Sequence, residues 1–290
     1  MLYRVKGIIL AGGTGSRLWP STFIVSKQLI PVYDKPLIYY PLSTLMLAGI
    51  REILIITTPG DSGAFQKLLG DGTKLGISLQ YAVQDNPEGI AQALIIAEEF
   101  IESDSVALIL GDNIFHGTGL GRDLANSVKL EGSLIFGYEV SDPERYGVAE
   151  INPNGNVISI EEKPQKPKSR LAIPGLYFFD KTVSEKSKKI EKSLRGELEI
   201  TSVLEAYRSE GNLKLRILPR GTAWMDCGTV DSLNDASNYI RVIEERQGFK
   251  VGSIEEVAWR NKWITDSNLQ ELARDYGKSE YGQYLLRILN

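Results

Sequence analysis

Short runs of apolar, largely β-branched residues punctuate the first half of the chain at Gly7 to Leu10, Ile53 to Thr57, Leu79 to Val83 and Val106 to Leu110, each bounded by Gly, Pro, Asp or Asn. Within each run the hydrophobicity is continuous, as expected of strands covered on both faces. Between them, Pro41 to Ala48 and Ile90 to Ile101 carry apolar residues at helical spacing. Strands alternating with helices predict an α/β fold with a Rossmann-like, mostly parallel sheet. In such sheets ligands collect beyond the carboxyl ends of the strands.

The second half changes character. Ser133 to Glu139, Ala149 to Asn152 and Val157 to Glu161 read as strands, and the last two flank the turn signal Asn152-Pro-Asn-Gly-Asn156, which predicts an added β-hairpin. The basic, proline-spaced stretch Lys163 to Arg170 reads as a solvated connector, Lys163 excepted. Beyond Asp226 the pattern is helical over Val230 to Arg246, Ile254 to Lys262, Ser267 to Tyr276 and Tyr281 to Leu289. The expected organisation is an α/β core over residues 1–229 and a C-terminal helical segment over 230–290, packed on the core or on a neighbouring subunit.

Composition narrows the chemistry. A chain of 290 residues, 42% of them hydrophobic, buries roughly 75% of its unfolded surface, which excludes disorder. No apolar stretch approaches the roughly 20 residues that span a bilayer, and the opening run reads as a strand without a cleavage signal. The expected location is the cytoplasm, away from membranes. The net charge of -4 argues against a general nucleic-acid binder. With one cysteine, Cys227, and one histidine, His116, a thiol or multi-histidine metal site is excluded. Any metal must sit on oxygen ligands, which favours magnesium, manganese or calcium.

The first strand runs into Leu10-Ala-Gly-Gly-Thr-Gly-Ser-Arg-Leu-Trp-Pro20. Gly12, Gly13 and Gly15 allow the backbone to approach an anion and turn its N–H groups inward, and Arg17 adds a bidentate cation. The dinucleotide fingerprint fails because Leu18 stands where its third glycine belongs. The P-loop pattern fails at Gly277-Lys-Ser279, where Leu272 replaces the first glycine. With Lys27 in Ser26-Lys-Gln-Leu, the pair of cations near the first strand end suits a polyphosphate.

Further motifs carry a more specific signal: Ser26-Lys-Gln-Leu-Ile-Pro-Val-Tyr-Asp-Lys-Pro36, Leu110-Gly-Asp-Asn113, Asp142-Pro-Glu-Arg-Tyr-Gly-Val148, Glu161-Glu-Lys-Pro164, Gly175-Leu-Tyr-Phe-Phe-Asp180, Arg195-Gly-Glu-Leu-Glu-Ile-Thr201 and Trp224-Met-Asp-Cys-Gly-Thr229. Together with the glycine-rich opening, they resemble the nucleotidyltransferases that make nucleotide sugars, in order and over essentially the whole chain. The resemblance is strongest to the branch that joins dTTP and glucose 1-phosphate into dTDP-glucose and pyrophosphate, at the head of dTDP-rhamnose synthesis.

It implies Mg²⁺ held by Asp112 and Asp226, with Arg17, Lys27 and Lys163 as the catalytic cations. The nucleotide would meet Leu10, Gly12, Gly13, Gln28, Gln84, Gly89 and Asp112. The sugar phosphate would meet Tyr146, Gly147, Glu162, Lys163, Gly175 and Trp224. A homotetramer is implied, as is a second site for a nucleotide or dTDP-sugar inhibitor around Phe115 to Gly121 and Lys250 to Arg260. The amide of Gln84 pairs with an imide edge that thymine and uracil share, so a UDP-glucose or other sugar 1-phosphate enzyme is the near alternative. A non-catalytic nucleotide sensor is the distant one, and the retained Arg17, Lys27, Asp112, Lys163 and Asp226 argue against it. A Cys227–His116 dyad is not favoured.

Overall fold

The computed structural model describes residues 4–128 and 131–289, so Met1 to Tyr3 of the opening run lie outside the described residues. The strands of the main sheet are β1 (Val5–Ala11), β2 (Glu52–Thr57), β3 (Ser78–Val83), β4 (Ser105–Leu110), β5 (Ser133–Glu139), β6 (Gly147–Ile151), β7 (Val157–Glu162), β8 (Leu171–Ala172), β9 (Leu176–Phe179) and β10 (Leu213–Ile217). Their order is β7-β6-β8-β5-β9-β4-β1-β2-β3, with β10 alongside β5. The four strands read from continuous hydrophobicity, β4, β1, β2 and β3, pair in parallel. Beyond β4 the sheet turns antiparallel through β9 and β5.

Alternation along each central strand divides the core into two layers. Ile9, Ile55 and Ile109 face one side, where they join Ile254, Leu269 and Leu285 of the C-terminal helices. Ile8, Ile56 and Leu108 face the other, against Leu94, Val203 and Leu204. Both faces are thus covered over β1, β2 and β4, which is why those runs read as unbroken apolar stretches, whereas the edge strand β3 leaves Gln80 and Val83 exposed. Among the described residues no helix is long and apolar enough to cross a membrane.

The hairpin forms as its turn predicts. Asn152 Oδ1 accepts from the backbone N–H groups of Asn154 and Asn156, each at 3.0 Å, and Gly155 takes φ 81°. β6 and β7 do not stand apart from the core, however, because β8 stitches β6 onto β5. The helix expected over Ile90 to Ile101 is two short pieces, Gln92–Ile96 and Glu98–Ile101, since the backbone opens at Ala97 to ψ 6°. The C-terminal helices lie at Val230–Gln247, Ile254–Arg260, Asp266–Asp275 and Glu280–Arg287. All four start on a Ser or Thr whose hydroxyl accepts from the N3 backbone N–H, namely Thr229, Ser253, Thr265 and Ser279.

A buried charge network ties the segment after β1 to this helical region. Lys35 is 3% exposed and Glu244 5%. Lys35 Nζ meets Glu244 Oε1 at 2.9 Å and Asp34 Oδ1 at 2.5 Å. Lys250 bonds Glu244 Oε2 at 2.7 Å and also pairs with Asp34, while the Val251 N–H donates to Glu244 Oε1 at 2.9 Å. Glu244→Ala would leave buried Lys35 and Lys250 to share Asp34 alone and is expected to cost about 3–5 kcal/mol of stability. Denaturant unfolding checks this, and Lys35→Met should cost clearly less because Glu244 keeps Lys250 and the Val251 N–H as partners.

Candidate active site

Two short connections build the site. After β4 the chain forms Asn113–His116, which pairs antiparallel with Ala223–Asp226, Asn113 opposite Asp226. The Cys227 N–H donates to the Asp112 carbonyl at 2.9 Å. This ribbon, which the apolar pattern did not reveal, sets the two acidic residues side by side at the end of the parallel sheet.

Their environments differ. Burial works to raise the Asp112 carboxyl, but the Lys27 ammonium, bonded to Oδ2, and the Asn113 amide at 2.8 Å from Oδ1 hold it below the usual carboxylate range. Asp226 is pushed up, first by burial and further by the charge of Asp112, although Arg145 and Tyr146 oppose this. Arg145 Nη2 lies 3.5 Å from Asp226 Oδ2, and the Tyr146 hydroxyl donates to Oδ1 at 3.1 Å.

These carboxylates open on a cavity of about 410 Å³ whose wall includes Arg17, Asp112, Tyr146, Glu162, Lys163 and Trp224. Gly147, Gly175 and Asp226 line it too. Asn113 organises one side: its Oδ1 accepts from Trp224 Nε1 at 2.6 Å and from the Gly175 N–H at 3.2 Å. Tyr146 packs on Trp224 with ring centroids 4.9 Å apart. A side chain at Gly175 would put its Cβ 2.6 Å from Leu110 and 2.9 Å from Asn113 Oδ1, so any other residue there forces those side chains to shift.

Glu162 ends β7 and is pushed up by burial and by the neighbouring Glu199 carboxylate. Lys163 follows at φ 41°, a left-handed backbone that a lysine rarely takes. Its N–H is held by the Tyr146 carbonyl at 3.1 Å and its Nζ stands 3.8 Å from Glu162. Arg17 comes from the other side of the cavity: its Nη2 is 3.2 Å from where a Cβ of Gly228 would be, and among the described residues it pairs with no carboxylate.

The remaining nucleotide candidates, Leu10, Gly12, Gly13, Gln28, Gln84 and Gly89, are not in the wall of this cavity. Leu10 accepts from the Gly111 N–H at 2.9 Å, next to Asp112. Gly13 takes φ 104°. Gln84 is buried behind Gly12. Gln28 is 1% exposed and its Oε1 accepts from the Ser26 hydroxyl at 2.6 Å, so its amide carbonyl braces the loop that presents Lys27. Gly89, at φ 115°, passes so close to Leu198 that a Cβ would lie 2.4 Å from that residue's carbonyl oxygen.

Arg145, Thr201 and Arg195 join the site without having been singled out. The first two line the cavity, and Arg195 Nη1 lies 3.5 Å from both Glu162 and Glu199. All three sit inside motifs visible in the sequence, but a lone polar residue carries no signal of the direction in which it points. Cys227 and His116 do not form a dyad. Cys227 is buried with its thiol pushed up by burial, and His116 Nδ1 is 2.9 Å from the Tyr239 hydroxyl.

Among the described residues no cluster of three or more His, Cys, Asp or Glu side chains is arranged around a metal position. The pair Asp112 and Asp226 nevertheless fits a hard divalent cation. Two neighbouring carboxylates, one of them disfavoured in its charged form, offer the oxygen-only donors that a hard divalent cation takes.

A family model described as nucleotidyl transferase matches residues 6–242. The chain is 55% identical to a glucose-1-phosphate thymidylyltransferase of Mycolicibacterium smegmatis, with 99% of each chain covered. It is 54% identical to one of Neisseria meningitidis over 98% of this chain and 99% of that one. A Bacillus anthracis structure titled for the same activity, with bound sucrose, superposes at a TM-score of 0.75 and 42% identity over 82% of this chain and 95% of that one. A UDP-glucose pyrophosphorylase holding UDP-glucose shares the fold at a TM-score of 0.73 and 22% identity, covering 83% of this chain and all of that one. With its motifs at one cavity and its likeness running nearly end to end, the chain belongs to the nucleotidyl transferase family, among the glucose-1-phosphate thymidylyltransferases.

Proposed function

We propose that the protein joins dTTP and glucose 1-phosphate into dTDP-glucose and pyrophosphate, the reaction for which its relatives of about 55% identity are named. The observation that carries this reading is the convergence of Asp112, Asp226, Arg17 and Lys163 on one cavity at the carboxyl end of the parallel sheet.

A phosphate oxygen of glucose 1-phosphate attacks the α-phosphorus of dTTP in line. A new P–O bond forms as the α–β bond breaks, and pyrophosphate departs with the electron pair. The nucleophile is already an anion, so no general base is required. The obstacle is the approach of two polyanions, and charge neutralisation with alignment overcomes it. Lys163, fixed by its backbone, receives the phosphate of the sugar 1-phosphate. Arg17 takes the β and γ phosphates, and Lys27 stands beside Asp112 at the reacting phosphates. Glu162 accepts from sugar hydroxyls, while Tyr146, Gly147, Gly175 and Trp224 shape that end. Leu10, Gly12, Gly13, Gln28, Gln84 and Gly89 form the nucleotide side. Asp112 and Asp226 would hold Mg²⁺, which when bound offsets the charge of the triphosphate.

Residues 1–229 then serve as the catalytic unit and 230–290 as its helical support. The family likeness extends the reading to a cytoplasmic homotetramer. It also extends to a nucleotide or dTDP-sugar inhibitor in a second cavity of about 310 Å³, where His116, Lys250 and Arg260 contribute to the wall.

Purified protein given Mg²⁺, dTTP and glucose 1-phosphate should release pyrophosphate. No release at concentrations where both substrates bind would overturn the assignment. Asp226→Asn should retain the fold by circular dichroism yet lose about 10²-fold or more in turnover at limiting Mg²⁺. Near-normal turnover there would remove the metal role of Asp226.

A further inference from the structure

Gln84 directly follows β3 and is 4% exposed. Its backbone N–H donates to the Thr57 carbonyl at 2.8 Å, fixing it at the end of the sheet. An amide side chain offers a carbonyl oxygen on one side and an NH₂ group on the other, so what it reads depends on which way it is turned. Here the turn is set by a backbone donor. The Glu88 backbone N–H can only donate, and it is shared between the Asn86 carbonyl at 2.9 Å and Gln92 Oε1 at 3.0 Å. The facing atom of Gln92 is therefore an oxygen, and the Gln84 atom 2.6 Å from that same oxygen must be the NH₂ nitrogen.

Gln84 Oε1 is consequently turned toward Gly12. A Cβ built on Gly12 would lie 2.4 Å from that oxygen, so a glycine at this position is what leaves the acceptor uncovered.

We propose that Gln92 is a positioning residue for base selection: its carbonyl locks Gln84 with an acceptor facing the glycine-rich loop. The site so formed takes a pyrimidine whose N3 carries a proton, as in thymine and uracil, and disfavours cytosine, whose N3 is a bare acceptor. The proposal rests on the reading of Gln84 as the base contact. Gln92 itself touches no substrate. It acts through Gln84, and Glu88 supplies the reference that fixes the orientation. Two acceptors facing one another leave both unpaired, and the cost of a buried unsatisfied group is large enough to discriminate at the level of tenfold or more.

The test is kcat/KM for dTTP, UTP and dCTP at fixed glucose 1-phosphate and Mg²⁺, with wild type, Gln92→Met and Gln92→Glu compared. Methionine keeps the length but removes the acceptor, freeing the Gln84 amide to rotate, so the dTTP:dCTP preference should fall about tenfold or more. Glutamate keeps an acceptor for both donors and should stay within about threefold of wild type. The dTTP:UTP ratio should not move in either variant, since both bases present the same imide edge. An unchanged dTTP:dCTP ratio in active Gln92→Met, or an equal loss in Gln92→Glu, would overturn the proposal.

Should Gln92→Met fail to fold, Gln92→Ala decides by the same dTTP:dCTP ratio. A tenfold or greater fall supports the proposal, and a ratio within threefold of wild type overturns it. Absence of any turnover by wild type with dTTP would instead sink the assigned reaction, so the two failures are distinguishable.

Discussion

Two carboxylates that repel one another are held at the same end of one four-residue ribbon, and the rest of the site is arranged around that constraint. The pairing of Asn113–His116 with Ala223–Asp226 sets Asp112 and Asp226 together, although more than a hundred residues separate them in the chain. Left alone the arrangement would be costly, because each charge disfavours the other in a partly buried place. The fold answers asymmetrically. Asp112 receives a lysine and an amide, which hold its carboxyl low. Asp226 receives a tyrosine hydroxyl and a guanidinium at 3.5 Å and is still pushed up. The two acids, neighbours in the fold, are thus shifted in opposite directions.

The same asymmetry explains why net charge misleads. An average of -4 over the chain conceals a local field in which Arg17 and Lys163 stand at the cavity while several other cations are committed elsewhere. Lys35 and Lys250 are consumed by Asp34 and Glu244, and Arg260 by Glu256 at 2.6 Å. Recognition of a polyanion depends on which charges lack partners, not on how many there are.

Much of the fold was legible because burial on both faces writes itself into sequence as continuous apolar runs. β1 to β4 and the four C-terminal helices lie within a residue or two of their expected bounds. The helix Ser62–Leu69 went unread: it buries only Phe65, so it leaves little periodic signal. The ribbon carrying both acids was equally silent, because its strands are four residues long and their partner is distant. For the site, acids and cations were legible through motifs, whereas the direction of an amide or of a loop arginine was not. The role of Gln92 depends on a backbone N–H that only the folded chain brings within reach.

The two ends of the site are also mechanically joined. The loop after β3 and the loop before the helix Ile200–Ser209 cross at Gly89 and Leu198, where the Leu198 N–H donates to the Glu88 carbonyl at 2.6 Å and the Ala91 N–H to the Leu198 carbonyl at 3.1 Å. Gly89 must lack a side chain for this crossing to form, and that requirement holds independently of any contact it makes with a base. Glu88 sits at the junction: its N–H sets Gln92, its carbonyl holds Leu198, and its carboxylate pairs with Lys192 at 2.8 Å. Leu198 in turn precedes Glu199, whose charge bears on Glu162. The loop after β3 is therefore joined, through a close backbone crossing, to the segment whose Glu199 bears on the Glu162 carboxyl in the cavity wall.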